Sequence, residues 1–237
     1  MITSLENKTV KQLTKLHQKK YRDDMFLLLD EELVKFAKEN NYLKTLVYCG
    51  DMPFEFNNAI EVSKEVLNKI SKRDDLKYIG IANNIKESNS YKNRVLILDE
   101  LQDPLNIGRI LEGTYLFGFD SIILSENCAD IYNEKCISNS KGAIFRVNIK
   151  RSNIENEISC LKQNGFKVFA TGLRNQTKEL HDIKTSEKMA FVLGNEGSGV
   201  RENIMDICDD IVKIDMMNID SLNVSMAANI IMYNFSI

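Results

Sequence analysis

The rhythm of apolar and polar positions changes near residue 94. Ahead of it, the run 29–40 has helical amphipathic spacing, 45–49 and 77–83 read as short strands, and 57–72 places Ile60, Val62, Val66, Leu67 and Ile70 at helical steps. Together they predict a small mixed α/β unit. The polar, aperiodic stretch 83–93 predicts a linker. Beyond it, continuous apolar runs recur at 94–101, 120–126, 142–149, 166–173, 188–195 and 210–215. Helical patterns at 106–117, 154–164 and roughly 200–208 lie between several of them. Strands apolar on both faces that alternate with helices predict a parallel sheet covered on both sides. In 221–235, Leu222, Val224, Ala227, Ala228, Ile231 and Phe235 fall at helical steps.

Composition narrows the class. The 237 residues allow one large domain or two modest ones, and 43% hydrophobic with 27% charged residues is ordinary for a chain with a real core. No run of 18 apolar residues exists, so no membrane span is expected, and the N-terminus lacks a signal-like apolar region. Five scattered cysteines without a C-x-x-C pair fit reduced thiols in the cytoplasm better than disulfides or a zinc site. Only His17 and His181 are present, neither beside a second metal-type ligand at helical spacing, so no metal is expected.

Charge is uneven. Residues 1–94 carry 17 Lys/Arg against 14 Asp/Glu, and residues 95–237 carry 14 against 20. Lys8, Lys11, Lys15, Lys19 and Arg22 are spaced to share one face of a helix. Two readings are open: a solvated face, or a stripe that follows a phosphate backbone.

Three segments carry candidate chemistry. In "DPLNIG" (103–108) a strand ends, Asp-Pro turns, Asn106 sits near a helix start, and Gly108 lies in the first turn. In "FVLGNEGSGV" (191–200) an apolar strand runs into a G-x-x-G-x-G loop. That spacing matches neither the dinucleotide fingerprint nor the Walker loop, and it falls late in the chain, which argues against a nucleotide-dependent oxidoreductase. In "SLNVSMAANIIMY" (221–233) Ser221 and Asn223 stand where the last helix opens.

In this order and spacing, the three segments resemble the SpoU (TrmH-like) RNA 2'-O-ribose methyltransferases of the SPOUT superfamily, over about residues 94–237. More weakly, residues 2–28 resemble the small L30e-like substrate-binding domain that precedes the catalytic domain in many members, although the usual glycine after its apolar strand is Asp30 here. The resemblance implies an L30e-like unit over 1–88 and a SPOUT domain over 94–237 whose C-terminal segment forms a trefoil knot. It implies S-adenosyl-L-methionine as cofactor, lined by Thr171, Gly172, Gly194, Ile214, Met216 and Leu222. It implies Asn106, Glu196, Ser221 and Asn223 as catalytic or substrate-holding residues, and Arg109 is a fifth candidate from its place on the same helix face. RNA, rRNA more than tRNA, is the implied partner, docked in part on Lys11, Lys15, Lys19 and Arg22, and a homodimer completes each site.

The match departs at several points: Asp215 stands where a proline usually follows Ile214, the glycine common before Ser-Leu-Asn is absent, and the first-motif helix differs. Family members usually carry an arginine six residues after the first-motif asparagine, where this chain has Glu112. Arg109 lies one helical turn earlier and shares that face. Three readings stand: Arg109 substitutes, Glu112 acts as a carboxylate base, or the chain binds RNA and cofactor but transfers methyl poorly. Glu196 also has two readings, catalysis or a tie for the glycine loop.

Overall fold

Side-chain caps start the three α-helices in the first part of the chain. Asn7 caps α1 (Lys8–Lys15), Asp30 caps α2 (Glu31–Glu39) and Ser63 caps α3 (Lys64–Ser71). The Asp30 carboxylate accepts from the Glu32 and Leu33 backbone N–H groups. Strands β1 (Met25–Leu28), β2 (Leu43–Tyr48), β3 (Ala59–Glu61) and β4 (Tyr78–Asn83) form a sheet in the order β1-β4-β2-β3. Strand β4 is antiparallel to β1 and β2, and β3 is parallel to β2. Val10, Leu27, Val47, Val66, Leu67, Ile70, Ile79 and Ile81 close its core. The computed structural model describes residues 1–174, 176–217 and 222–236.

Two expectations need correction here. The run 57–72 is not one helix: Ile60 pairs with Val47 in β3 before Ser63 starts α3. Helical spacing fits both, but the serine is an N-cap that breaks the run. The basic stripe is also not one helix, because α1 ends at Lys15 and residues 19–21 form a separate 3-10 turn.

The second part holds a seven-stranded sheet, parallel throughout. Its elements are β5 (Arg94–Asp99), α4 (Pro104–Leu116), β6 (Ser121–Leu124), α5 (Glu134–Asn139), β7 (Asn148–Arg151), α6 (Ile154–Gln163), β8 (Lys167–Thr171), β9 (Lys178–Glu179), β10 (Met189–Gly194), α7 (Glu202–Ile207), β11 (Asp210–Lys213) and α8 (Val224–Asn234). Strand order is β7-β6-β5-β10-β8-β11-β9. Every residue of β5 and β10 is buried, as their unbroken apolar runs require. Phe191 of β10 stacks between Phe169 and Phe235, at 5.1 and 4.9 Å. Buried Arg94 donates from Nε to the Phe235 carbonyl at 3.0 Å, which fixes the end of α8.

The run 142–149 is a further correction. Gly142 turns with φ +84°, residues 143–145 form a 3-10 turn, and the strand covers 148–151 against β6. Apolarity there reports burial of Ala143, Ile144 and Phe145, not strand. Neither α5 nor the two-residue β9 was signalled by periodicity.

The chain divides into two compact units, residues 1–85 with 132–142, and residues 86–131 with 143–237. The first is therefore not one stretch: α5 and the residue before its cap belong to it. Tyr132 stacks on Phe26 with ring centroids 4.6 Å apart, and the Glu134 carboxylate bonds His17 Nδ1. The linker stretch is tied down at its end, where the Asp120 carboxylate accepts from the N–H groups of Lys92, Asn93 and Arg94.

Candidate active site

A parallel sheet brings all its strand ends to one edge, and a ligand site forms where the strand order reverses. Here the chain runs from β5 to β6 and β7 on one side, then to β8 on the other, and β10 enters between β5 and β8. The turns after β5, β8, β10 and β11 all lie at that edge, and Gly172, Glu196, Ile214 and Met216 sit on them.

The three motifs meet through side chains. Asp103 caps α4 by accepting from the Leu105 N–H at 3.0 Å, with Pro104 in the first turn. This turns Asn106 inward, where it is 3% exposed. Its Nδ2 donates to Glu196 at 3.2 Å, and its Oδ1 accepts from Asn223 Nδ2 at 3.2 Å. The Asn223 Oδ1 caps α8, accepting from the Ser225 N–H and hydroxyl. At the other end, the Glu196 carboxylate also accepts from the Gln102 and Asp103 N–H groups, at 3.4 and 3.3 Å. One chain of bonds thus joins Ser225, Asn223, Asn106, Glu196 and the β5–α4 turn. Burial pushes the Glu196 carboxyl up, but its own N–H, Asn106, Gln102 and Asp103 outweigh that and hold it below the usual range. These donors make Glu196 a tie between the glycine loop and the β5–α4 turn.

The glycine loop is closed on itself. Asn195 and Gly199 exchange backbone bonds at 3.0 and 2.9 Å, and Asn195 Oδ1 accepts from the Gly197 and Ser198 N–H groups. A Cβ on Gly194 would lie 2.0 Å from Gly199 C and Val200 N. Gly199, at φ +72°, takes a conformation that suits glycine. These glycines therefore serve the tight hairpin itself.

Sequence reading missed a second tie. Asp99, fully buried at the end of β5, accepts from the Arg201 N–H at 3.0 Å and pairs with its guanidinium at 2.7 Å. The Asp99 contact raises the Arg201 pKa. The pair is 102 positions apart, and the one local signal was an acid ending an apolar strand.

At the neighbouring strand ends, Thr171 Oγ1 donates to the Val192 carbonyl at 3.0 Å and Gly172 N–H to the Val212 carbonyl at 3.1 Å. Ile214 and Leu222 are half-buried and Met216 is exposed, with Leu173 and Met217 more so. Ser221 lies outside the described residues. Arg109 and Glu112 line one groove of about 440 Å³ between α4 and α8, with Ser225, Met226, Asn229 and Ile230. Among the described residues neither Arg109 nor Glu112 has an ion-pair partner, and both line the groove. The α4 and α8 backbones pass close: a Cβ on Gly113 would lie 2.0 Å from Asn229 Oδ1.

The basic residues of the N-terminal unit are not equivalent. Lys11 pairs with Glu6, and Arg22 bonds the Tyr132 carbonyl. Lys15 and Lys19 are exposed. His181, expected to lack metal-type neighbours, is brought by the β9–β11 pairing beside Glu179 and Asp215. That cluster is surface-exposed, and Lys213 pairs with both its carboxylates, at 3.5 and 3.4 Å. No described helix is long and apolar enough to cross a membrane.

Known proteins resemble the chain in sequence and fold. The chain is 29% identical to the 23S rRNA (guanosine(2553)-2'-O)-methyltransferase RlmP of Bacillus subtilis, over 98% of both chains. It is 37% identical over 141 residues to a TrmH-family tRNA/rRNA methyltransferase of Staphylococcus aureus, covering 59% of this chain and 56% of that one. The crystal structure of an AdoMet-bound rRNA methyltransferase from Sinorhizobium meliloti superposes with a TM-score of 0.89 at 27% identity, covering 98% of this chain and 95% of that one. The model of the SpoU rRNA Methylase family matches residues 93–233, and the chain belongs to that family.

Proposed function

We propose that the protein transfers the methyl group of S-adenosyl-L-methionine to a ribose 2'-OH of RNA, rRNA rather than tRNA. The observation that carries this reading is the bond chain Asn223–Asn106–Glu196, which assembles all three motifs at the carboxyl edge of a parallel sheet. The full-length similarity to an rRNA 2'-O-methyltransferase favours rRNA.

The residues at that edge fit the cofactor. Leu173, Met216 and Met217 keep large apolar side chains exposed after β8 and β11, suited to covering an adenosine. Thr171, Gly172, Gly194, Ile214 and Leu222 complete this wall, largely through backbone groups. When bound, the cofactor supplies an activated methyl on a sulfonium. The protein's part is positioning and proton handling. Asn106 and Asn223, locked to each other, orient the nucleotide, and Ser221 joins them. Arg109, reaching into the groove from α4, takes the role of the family's arginine in holding ribose and phosphate.

The assembly belongs to the same reading. Leu116, Met226, Ile230 and Tyr233 are exposed apolar residues on α4 and α8, a surface suited to a second copy of the chain. The unit containing 1–85 is the L30e-like substrate-binding domain. Helix α8 follows β11 in the chain but packs on α4 and on β10, two strands away in the sheet, which supports a trefoil knot. The protein works in the cytoplasm, without a metal.

Incubation with labelled donor and rRNA or tRNA tests the reading, followed by mapping of 2'-O-methyl sites. Label in rRNA that falls at least about tenfold in Arg109→Ala is expected, since truncating a transition-state contact costs that much. No incorporation, with donor binding intact, leaves a non-catalytic RNA-binding relative.

A further inference from the structure

The turn after α1 groups charges that the helical spacing did not. Leu16 is buried just past the end of α1. His17, its side chain 5% exposed, is held at both ring nitrogens: Nε2 lies 2.7 Å from the Ile70 carbonyl, and Nδ1 bonds the Glu134 carboxylate. This double anchor fixes the 3-10 turn Lys19–Tyr21 that follows, whose three side chains face solvent. The Tyr21 ring gathers two ammonium groups, Lys15 Nζ at 5.2 Å and Lys20 Nζ at 4.9 Å from its centroid. Among the described residues, Lys15, Lys19 and Lys20 have no carboxylate partner, while nearby Glu6 is taken by Lys11 and Asp24 by Lys44.

We propose that Lys15, Lys20 and Tyr21, with Lys19 at the edge, form a clamp for the backbone phosphates of substrate RNA. The assignment rests on the RNA methyltransferase reading and adds Lys20 and Tyr21, which the helical stripe left out. The ring's electron-rich face attracts both ammonium groups and so brings like charges together. An anion bound beside the ring relieves that repulsion and meets ammonium groups that Tyr21 already holds. Lys8 extends the row from Lys15 along about 10 Å of α1, at the helical rise of about 1.5 Å per residue, with Lys11 between them paired to Glu6. A row of that kind suits the regular charges of a nucleic-acid strand better than a single acidic side chain.

Filter binding of a bacterial 23S rRNA transcript between 50 and 200 mM KCl tests the clamp, with methyl-transfer kinetics on the same RNA. The Lys15→Gln/Lys20→Gln double variant is compared with Tyr21→Leu and with a control, Lys35→Gln, on exposed α2. Each phosphate contact to single-stranded RNA contributes about 0.7 to the log–log salt slope, so the double variant's slope is expected to flatten by about 1.4. Its affinity drops about tenfold, KM for RNA rises with kcat kept, Tyr21→Leu lies between, and the control matches wild type. An unchanged slope and KM in the double variant overturns the clamp. So does polyglutamate that competes as well as RNA, charge for charge. If wild type itself neither binds nor methylates RNA, the function reading fails first, a result distinct from either.

Discussion

At the scale of single residues, the site is organised by acceptors that are already satisfied. Glu196 gathers N–H donors from Gln102, Asp103 and Asn106, and a glutamine there turns an amide donor toward at least one of them. Glu196→Gln is expected to cost about 1–3 kcal/mol in denaturant unfolding and to weaken donor binding in calorimetry. The sign with pH follows from the lowered carboxyl. Its contribution is complete above the ordinary glutamate range, about 4.3, and is lost as pH falls through the depressed value. Wild type should therefore show an acid-side loss of stability that the glutamine variant lacks, read from melts between pH 3 and 6, roughly the span around that range. Asn106, Asn223 and Glu196 were legible because each belongs to a local motif. Asp99 and Arg201 were not: their pairing exists only once β5 and β10 lie side by side.

At the scale of elements, burial and cap chemistry decided what periodicity alone left open. Apolar runs located β5, β6, β8 and β10 because strands buried on both faces have no competing pattern. Residues 57–72 and 142–149 misled, because a short edge strand or a buried turn keeps the same apolar content as its neighbours. The glycine hairpin after β10 gives the sharpest test at this scale. Gly194→Ala puts a methyl into the backbone of 199–200, where no side-chain rotation relieves it. Overpacking of this kind costs about 1–3 kcal/mol. The variant should fold with a lowered melting temperature and lose donor affinity, whereas Gly50→Ala, open on all sides, should keep donor affinity.

At the scale of the whole molecule, the exposed apolar residues of α4 and α8 predict association. Sedimentation of wild type should give a dimer, and Leu116→Asp, on a residue 67% exposed, a monomer with undiminished secondary structure by circular dichroism. A wild-type monomer at micromolar concentration would remove the second copy from the reading. The two-part organisation could be read from the shift of rhythm near residue 94, but the return of 132–142 to the first unit could not, since the His17–Glu134 bond that holds it spans 117 positions. That return sets an order of events during synthesis. The ribosome releases the N-terminal sheet long before Tyr132 and Glu134, so Phe26 and His17 wait for partners while β5, α4 and β6 emerge. The first unit closes only after the second has begun, and a nascent chain halted near residue 90 holds an unfinished domain.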